Sequence, residues 1–149
     1  MARFLPLALT VGWLVALSVW DLKERRVPNR LVLWAYASLG LGLVAEWLVF
    51  HQGAALPLFL LAGAVLFVMG VVVQSLTPDG LGGGDIKVFG LMGFGMGALG
   101  FEGLILGEIA AGVYVTARWL FRHRPLRDPI PLVPFLAIGS LLVGVWNVR

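Results

Sequence analysis

The sequence predicts an all-α membrane protein, a bundle of about six transmembrane helices forming one domain over residues 1–149. Three observations carry this. The chain is 60% hydrophobic and only 13% charged, whereas a soluble domain is typically about 25% charged. Its mean hydropathy is +0.95. Six apolar segments alternate with short polar loops, and 149 residues suit a single domain. The absence of cysteine excludes disulfides, thiolate metal sites and a cysteine nucleophile. The net charge of +3 is small. It does not argue for nucleic acid, and it matters through where the charges sit.

The first span is Phe4 to Trp20, an uncharged run of 17 residues that rises about 25 Å, near the lower limit for crossing a bilayer. Arg3 and Ala16-Leu17-Ser18 give this run some likeness to a cleaved signal peptide. The five apolar segments that follow argue against that reading. Asp21 to Arg30 reads as a compact charged loop. Pro28 ends an incoming helix and presses Val27 toward an extended conformation, and Asn29 suits the N-cap of the next helix. The second span is Leu31 to about Phe50. His51-Gln52-Gly53 turns the chain, and the third span is Ala54 to Ser75, with Pro57 tolerable in its first turn. Leu76 to Asp85 is a second polar loop, with a turn at Thr77-Pro78-Asp79-Gly80.

The fourth span, Ile86 to Leu99, is short and glycine-rich. Gly93 and Gly97 are four apart, as are Gly103 and Gly107 in the fifth span, with Ala111 one step further. Small residues at that spacing let membrane helices approach closely, so these two helices are expected to pack on each other inside the bundle. The fifth span runs from about Gly103 to Trp119, and Arg118 to Asp128 forms a basic loop. The sixth, Ile130 to Val148, is interrupted early by Pro131 and Pro134. Tryptophans near span ends read as interfacial anchors. No repeat is long enough to suggest an inverted-repeat transporter.

Nine of the eleven Lys and Arg residues fall in the loops of one side, leaving Arg3 and Arg149 for the other. The basic side is expected to be cytoplasmic, with both termini on the non-cytoplasmic side. Asp21 and Asp85 then share the cytoplasmic face, each at the mouth of a helix.

A carboxylate next to a lipid core is costly and marks a functional candidate. Asp85 stands in Gly82-Gly83-Gly84-Asp85-Ile86-Lys87. Two aspartates sharing one proton can hydrolyse a peptide: the ionised member takes a proton from water, and the protonated one polarises the carbonyl and donates. Like charges raise one pKa of such a pair. Gly82 and Gly84 let a substrate backbone approach closely. An extended peptide can add to an exposed backbone edge. For Lys87 three roles stay open: local charge balance, a substrate contact, or snorkelling to phosphates.

Three segments carry a family resemblance. Asp21-Leu-Lys-Glu-Arg-Arg-Val-Pro-Asn29 resembles the first aspartate motif of the prepilin leader peptidases. Gly82-Gly-Gly-Asp-Ile-Lys87 resembles their second, the GxGD element followed by Lys. Pro131-Leu-Val-Pro-Phe-Leu-Ala-Ile-Gly139 resembles their last-helix motif. Val27 replaces a usual isoleucine, and Leu132-Val133 stands where Phe-Gly is common. The resemblance implies Asp21 and Asp85 as the catalytic pair of a metal-independent aspartic endopeptidase without a cofactor. It implies cleavage of the basic leader of type IV prepilin-like precursors at the cytoplasmic face of the inner (plasma) membrane. Larger members carry a cysteine-rich zinc loop linked to methylation. The lack of cysteine leads to the expectation of a short, peptidase-only form.

Simpler roles compete. Asp21 at helical spacing from Arg25 suits an ion pair, and Asp85 suits an N-cap. Asp79 suits turn chemistry. Glu108, mid-span, suits an interhelical hydrogen bond or a polar cavity behind the site. Glu46, Glu102, His51 and His123 read as solvated. A small cation transporter using Asp21, Asp79, Asp85 and Glu108 as oxygen ligands is the rival from another class, and a non-catalytic scaffold of a pilus assembly is a third. Three of the four acids sit at one edge rather than mid-membrane, which favours the peptidase. A serine protease of rhomboid type lacks its GxSG element here.

Overall fold

The computed structural model describes residues 4–50, 55–76, 81–122 and 130–148. It is a bundle of six helices: α1 (Phe4–Glu24), α2 (Asn29–Phe50), α3 (Ala55–Leu76), α4 (Gly83–Met96), α5 (Leu99–Arg122) and α6 (Val133–Val148). Four of them, α1, α2, α3 and α5, hold apolar stretches of 20 to 23 residues, long enough to cross a membrane. α6 is a shorter apolar helix. At 14 residues, α4 rises about 21 Å, well short of the roughly 30 Å hydrocarbon core.

The shortest helix is the most enclosed. α4 packs chiefly on α3, and also against α1, α2 and α5. Val88, Leu91 and Met92 on it are fully buried. It is apolar almost all round, the pattern of a helix surrounded by others. The outer helices turn apolar side chains outward, Leu33 and Trp34 on α2 among them. In a membrane bundle those faces meet lipid.

Close backbone approach explains the glycines, and the expected α4–α5 pairing is one of three. A side chain at Gly93 would overlap the Ala62 carbonyl and the Gly63 nitrogen of α3. Gly103 and Gly107 instead lie against α6, at Ser140 and Leu136. Gly139 returns the contact on the backbone of Gly103 and Gly107. Gly93 therefore joins α4 to α3, and Gly103 and Gly107 chiefly join α5 to α6, while α4 and α5 also pack on each other, with Gly100 close to the Met92 carbonyl and the Gly93 nitrogen. Gly97 is not part of a row. It closes α4 with φ at 60°, and its N–H donates to the Gly93 carbonyl at 2.8 Å. That conformation is nearly free only for glycine.

Two boundaries also differ from expectation. α1 does not stop at Trp20 but continues through Asp21 to Glu24. It ends because Arg25 takes φ 51° and donates its N–H to the Asp21 carbonyl at 2.9 Å. α2 is started by the Pro28 carbonyl, which accepts from Leu31 and Val32 at 3.1 and 3.2 Å. Asn29 is thus inside the helix and not its cap.

The two kinds of glycine predict opposite responses. Gly93→Val drives a branched side chain into the α3 backbone, which cannot move aside, and is expected to cost about 1–3 kcal/mol or more. Gly112 has nothing within 4 Å of an added Cβ, so Gly112→Ala should be neutral or stabilise by up to about 1 kcal/mol through helix propensity. Thermal unfolding in detergent distinguishes them.

Candidate active site

Three chain segments meet where α1 ends and where α4 and α6 begin. Asp21, in the last turn of α1, is only 5% exposed. Its Oδ2 accepts a hydrogen bond from the Val133 N–H at 3.1 Å. That amide is available for a local reason. The Leu132 carbonyl takes the N–H groups of Phe135 and Leu136 at 3.0 and 3.2 Å. Pro134 has no N–H. Val133 is therefore a first-turn donor without a partner in its own helix. The proline that interrupts the sixth segment in the sequence sits in the first turn, where it is tolerated.

Asp85 stands at the start of α4, but it is not the N-cap. Gly82 holds that position with extended backbone (φ −78°, ψ 149°). Its carbonyl accepts the N–H groups of Asp85 and Ile86 at 3.0 and 3.4 Å. Asp85, three residues on, reaches back and accepts the Gly82 N–H on Oδ2 at 3.1 Å. Glycine has no side chain, so only this half of a reciprocal capping box is formed. The helix N-terminus favours a negative charge there.

The loop between α1 and α2 lies against the start of α4. Val27 is buried, and a side chain at Gly84 would come within 3.1 Å of its Cβ. Gly84 thus serves close packing between two segments. Lys87 donates from Nζ to Asn29 Oδ1, and Tyr36 donates its hydroxyl to the Lys87 carbonyl at 2.9 Å. Gln74 Nε2 of α3 donates to the Leu81 carbonyl at 3.3 Å, tying down the approach to α4.

Asp85 senses two other carboxylates. Asp85 precedes the apolar part of α4, and its pKa is pushed up to about 6, mainly by burial. The hydrogen bond from Gly82 pulls it down, while the charges of Asp21 and Glu108 raise it further. Asp21 on α1 and Glu108 on α5 are therefore both within electrostatic reach of Asp85. Neither simpler role for the two aspartates holds as stated. The ion pair at this loop joins Arg26 to Glu24 at 3.0 Å, and Asp21 bonds to α6. Among the described residues, no three His, Cys, Asp or Glu side chains are grouped to hold a metal ion. Asp79, His51 and His123 lie outside the described residues.

Three contributions were not legible as site features in the sequence: the Val133 amide, Tyr36 and the cross-loop role of Asn29. A backbone amide leaves no residue-type signal. Tyr36 had one, as the single tyrosine of the second span, seven residues beyond Asn29 and so on nearly the same helix face.

Comparison with known proteins decides the family. The model of the type IV leader peptidase family matches residues 8–148, which include all three converging segments. The chain belongs to the type IV leader peptidase family. It is 28% identical over 144 residues to the prepilin leader peptidase/N-methyltransferase of Bacillus subtilis, covering 95% of this chain and 56% of that protein. It is 32% identical over 141 residues to the protein of the same name from Xanthomonas campestris pv. campestris, covering 91% of this chain and 47% of that protein. The chain thus spans about half the length of these leader peptidase relatives. No solved structure matches it.

The Asp21 bond predicts a split between two substitutions. Asp21→Asn keeps an oxygen acceptor for Val133 and should leave thermal stability near wild type. Asp21→Ala removes it and should cost about 1 kcal/mol, the typical value of a lost cap.

Stability should also depend on pH through Asp85. Its folded pKa, about 6, is raised above the ordinary value of 3.8. Its contribution to stability is therefore fully present below the unfolded pKa and is lost as pH rises through the folded one. Melting curves at pH 4 and pH 7 should show Asp85→Asn losing less stability across that window than wild type. An identical loss would show that the carboxyl is not shifted.

Proposed function

We propose that this chain is an aspartic endopeptidase of the leader peptidase family, with Asp21 and Asp85 as its catalytic pair. The observation that carries the reading is that Asp21 at the end of α1 and Asp85 at the start of α4 stand where the same segments converge, each carboxylate accepting a backbone N–H at a helix start, inside the region the family matches. Two carboxyl groups that share a proton titrate as a pair. Between its two steps the pair holds one proton. The ionised carboxylate takes a proton from water as the water oxygen attacks the scissile carbonyl. The protonated partner first hydrogen-bonds that carbonyl oxygen. As the C–N bond breaks, a proton passes to the departing amine. General acid and base catalysis of this kind contributes typically about 10²–10⁴-fold per group.

The substrate in this reading is a prepilin-like precursor with a basic leader, cut at the cytoplasmic face of the inner membrane. The scissile segment lies extended beside Gly82, whose backbone is extended and whose nearest neighbour to an added Cβ, among the described residues, is the Asp85 carboxylate at 3.2 Å. Both chain termini face away from the cytoplasm, since the basic loops hold the other side. One membrane domain carries the peptidase step without a cofactor, and methylation of the new N-terminus falls to another region or protein.

Co-expression with a prepilin-like substrate, followed by mass, tests this. Asp21→Asn and Asp85→Asn should each reduce leader removal by about 10²-fold or more while the protein remains inserted and folded. Chelation with EDTA should leave cleavage by the wild type intact. Full turnover by either mutant would exclude the pair as the catalyst. Loss of activity in EDTA, restored by a divalent ion, would point to metal chemistry instead.

A further inference from the structure

Lys87 is held at both ends by α2. Its ammonium donates to Asn29 Oδ1, and its carbonyl accepts from the Tyr36 hydroxyl at 2.9 Å. Asn29 and Tyr36 are seven residues apart, about two turns, on nearly the same face of α2. The Pro28 carbonyl anchors the first turn of α2 by accepting from Leu31 and Val32. The Asn29 side chain is therefore carried on a rigid element. Eight residues before it stands Asp21. Between them, Val27 rests on Gly84. The first turn of α4 and the end of α1 are thus joined by a short chain fixed at two points.

We propose that Lys87 is a positioning residue, which with Asn29 latches the α1–α2 loop onto the start of α4 and so fixes how far apart the Asp21 and Asp85 carboxyl groups stand. This rests on the peptidase reading above, and it selects among the roles open to Lys87 in the sequence. A lysine snorkelling to phosphates would reach away from the protein. This one reaches across it to a side-chain amide 58 residues away in sequence. Its head group already has a partner before any substrate arrives. Asn29 offers a neutral oxygen, so the contact holds position without cancelling the lysine charge.

The consequence is a coupling between geometry and proton sharing. The charged groups felt by Asp85 are Asp21 from α1 and Glu108 from α5. α2 presents Tyr36 at Lys87. α3 and the described part of α6 carry no titratable side chain. Repulsion between the two aspartates falls with distance. With the latch broken, the pair separates and its two titration steps draw together. The pH range in which the pair holds one proton narrows.

Two measurements on the full-length protein in membranes or detergent test this. The chain lacks cysteine, so spin labels at Leu22→Cys and Gly83→Cys report the α1–α4 separation without background. Leu22 is exposed, and Gly83 has none of the described residues within 4 Å of an added Cβ. Lys87→Met and Asn29→Leu should each lengthen or broaden the label separation. Lys87→Arg, which keeps a donor, and Asn29→Asp, which keeps the oxygen, should not. An unchanged separation in Lys87→Met overturns the latch whether or not the protein cleaves anything.

The second measurement is the pH profile of kcat/KM on a prepilin-like substrate. Lys87→Met should lower kcat by about 10-fold to 10²-fold, the scale of a misplacement near 1 Å. KM should hold, the two limbs should move closer together, and Lys87→Arg should restore them. A rise in KM at unchanged limbs would make Lys87 a substrate contact and refute the latch. Wild type failing to cleave at all, with the label result as expected, would refute the peptidase reading and leave the latch standing.

Discussion

The hydrogen bond from the Val133 amide to Asp21 is the constraint on which the arrangement depends. An unpaired N–H in an apolar surrounding costs free energy on the order of kcal/mol, and inside a bilayer no water is available to take it. α6 begins with such an amide, because Leu132 supplies only the next acceptor and Pro134 has no donor. The chain meets the need with a carboxylate from α1, 112 residues away in sequence. The first and last helices are thereby joined at the end where α4 starts. Asp85 repeats the device within its own helix, accepting the Gly82 amide. Each carboxylate therefore stands at a helix N-terminus, where the helix dipole favours negative charge. Two acids can be held near each other in a poorly solvated place because each is met by a backbone donor.

The second constraint is steric. A helix of 14 residues cannot cross a bilayer alone, yet α4 is the helix that the others surround. It reaches that position because Gly93 lets the α3 backbone come into contact and because nearly all its side chains are apolar. The Gly97 turn then returns the chain into α5, which lies on α6 through Gly103, Gly107 and Gly139. The long outer helices carry the lipid-facing surface, while the short inner one carries Asp85. Rigid packing below the site and short tethers above it, through Val27 and Asn29, hold the first turn of α4 in place.

Much of this was legible in the sequence, and the failures have physical causes. Hydropathy marks apolar runs strongly, so all six helices were found, and most boundaries fell within a few residues. By its charge Asp21 falls in the loop after the first span. The helix in fact continues until Arg25 adopts a left-handed conformation, which residue type does not announce. The glycine spacing correctly signalled close packing of α4 and α5 but not the further partners α3 and α6, since any helix with a small or exposed backbone face satisfies it. Asn29 fitted the pattern of a cap, and the Pro28 carbonyl performs that role instead. The three segments around the aspartates were recognisable by residue type. Their mutual contacts, from the Val133 amide to the Lys87–Asn29 bond, are long-range and leave no local pattern.

The coupling of the two aspartates is the central claim, and their titration tests it most directly. Carbon-13 labelling of the aspartate carboxyl groups, with Asp21 and Asp85 resonances assigned by substitution, follows both groups through pH in one sample. The account predicts that each carboxyl titrates in a way that depends on the other, so that Asp85→Asn shifts the curve of Asp21 and Asp21→Asn shifts that of Asp85. Curves that stay unchanged when the partner is replaced would contradict it, because two groups that do not feel each other cannot share a proton.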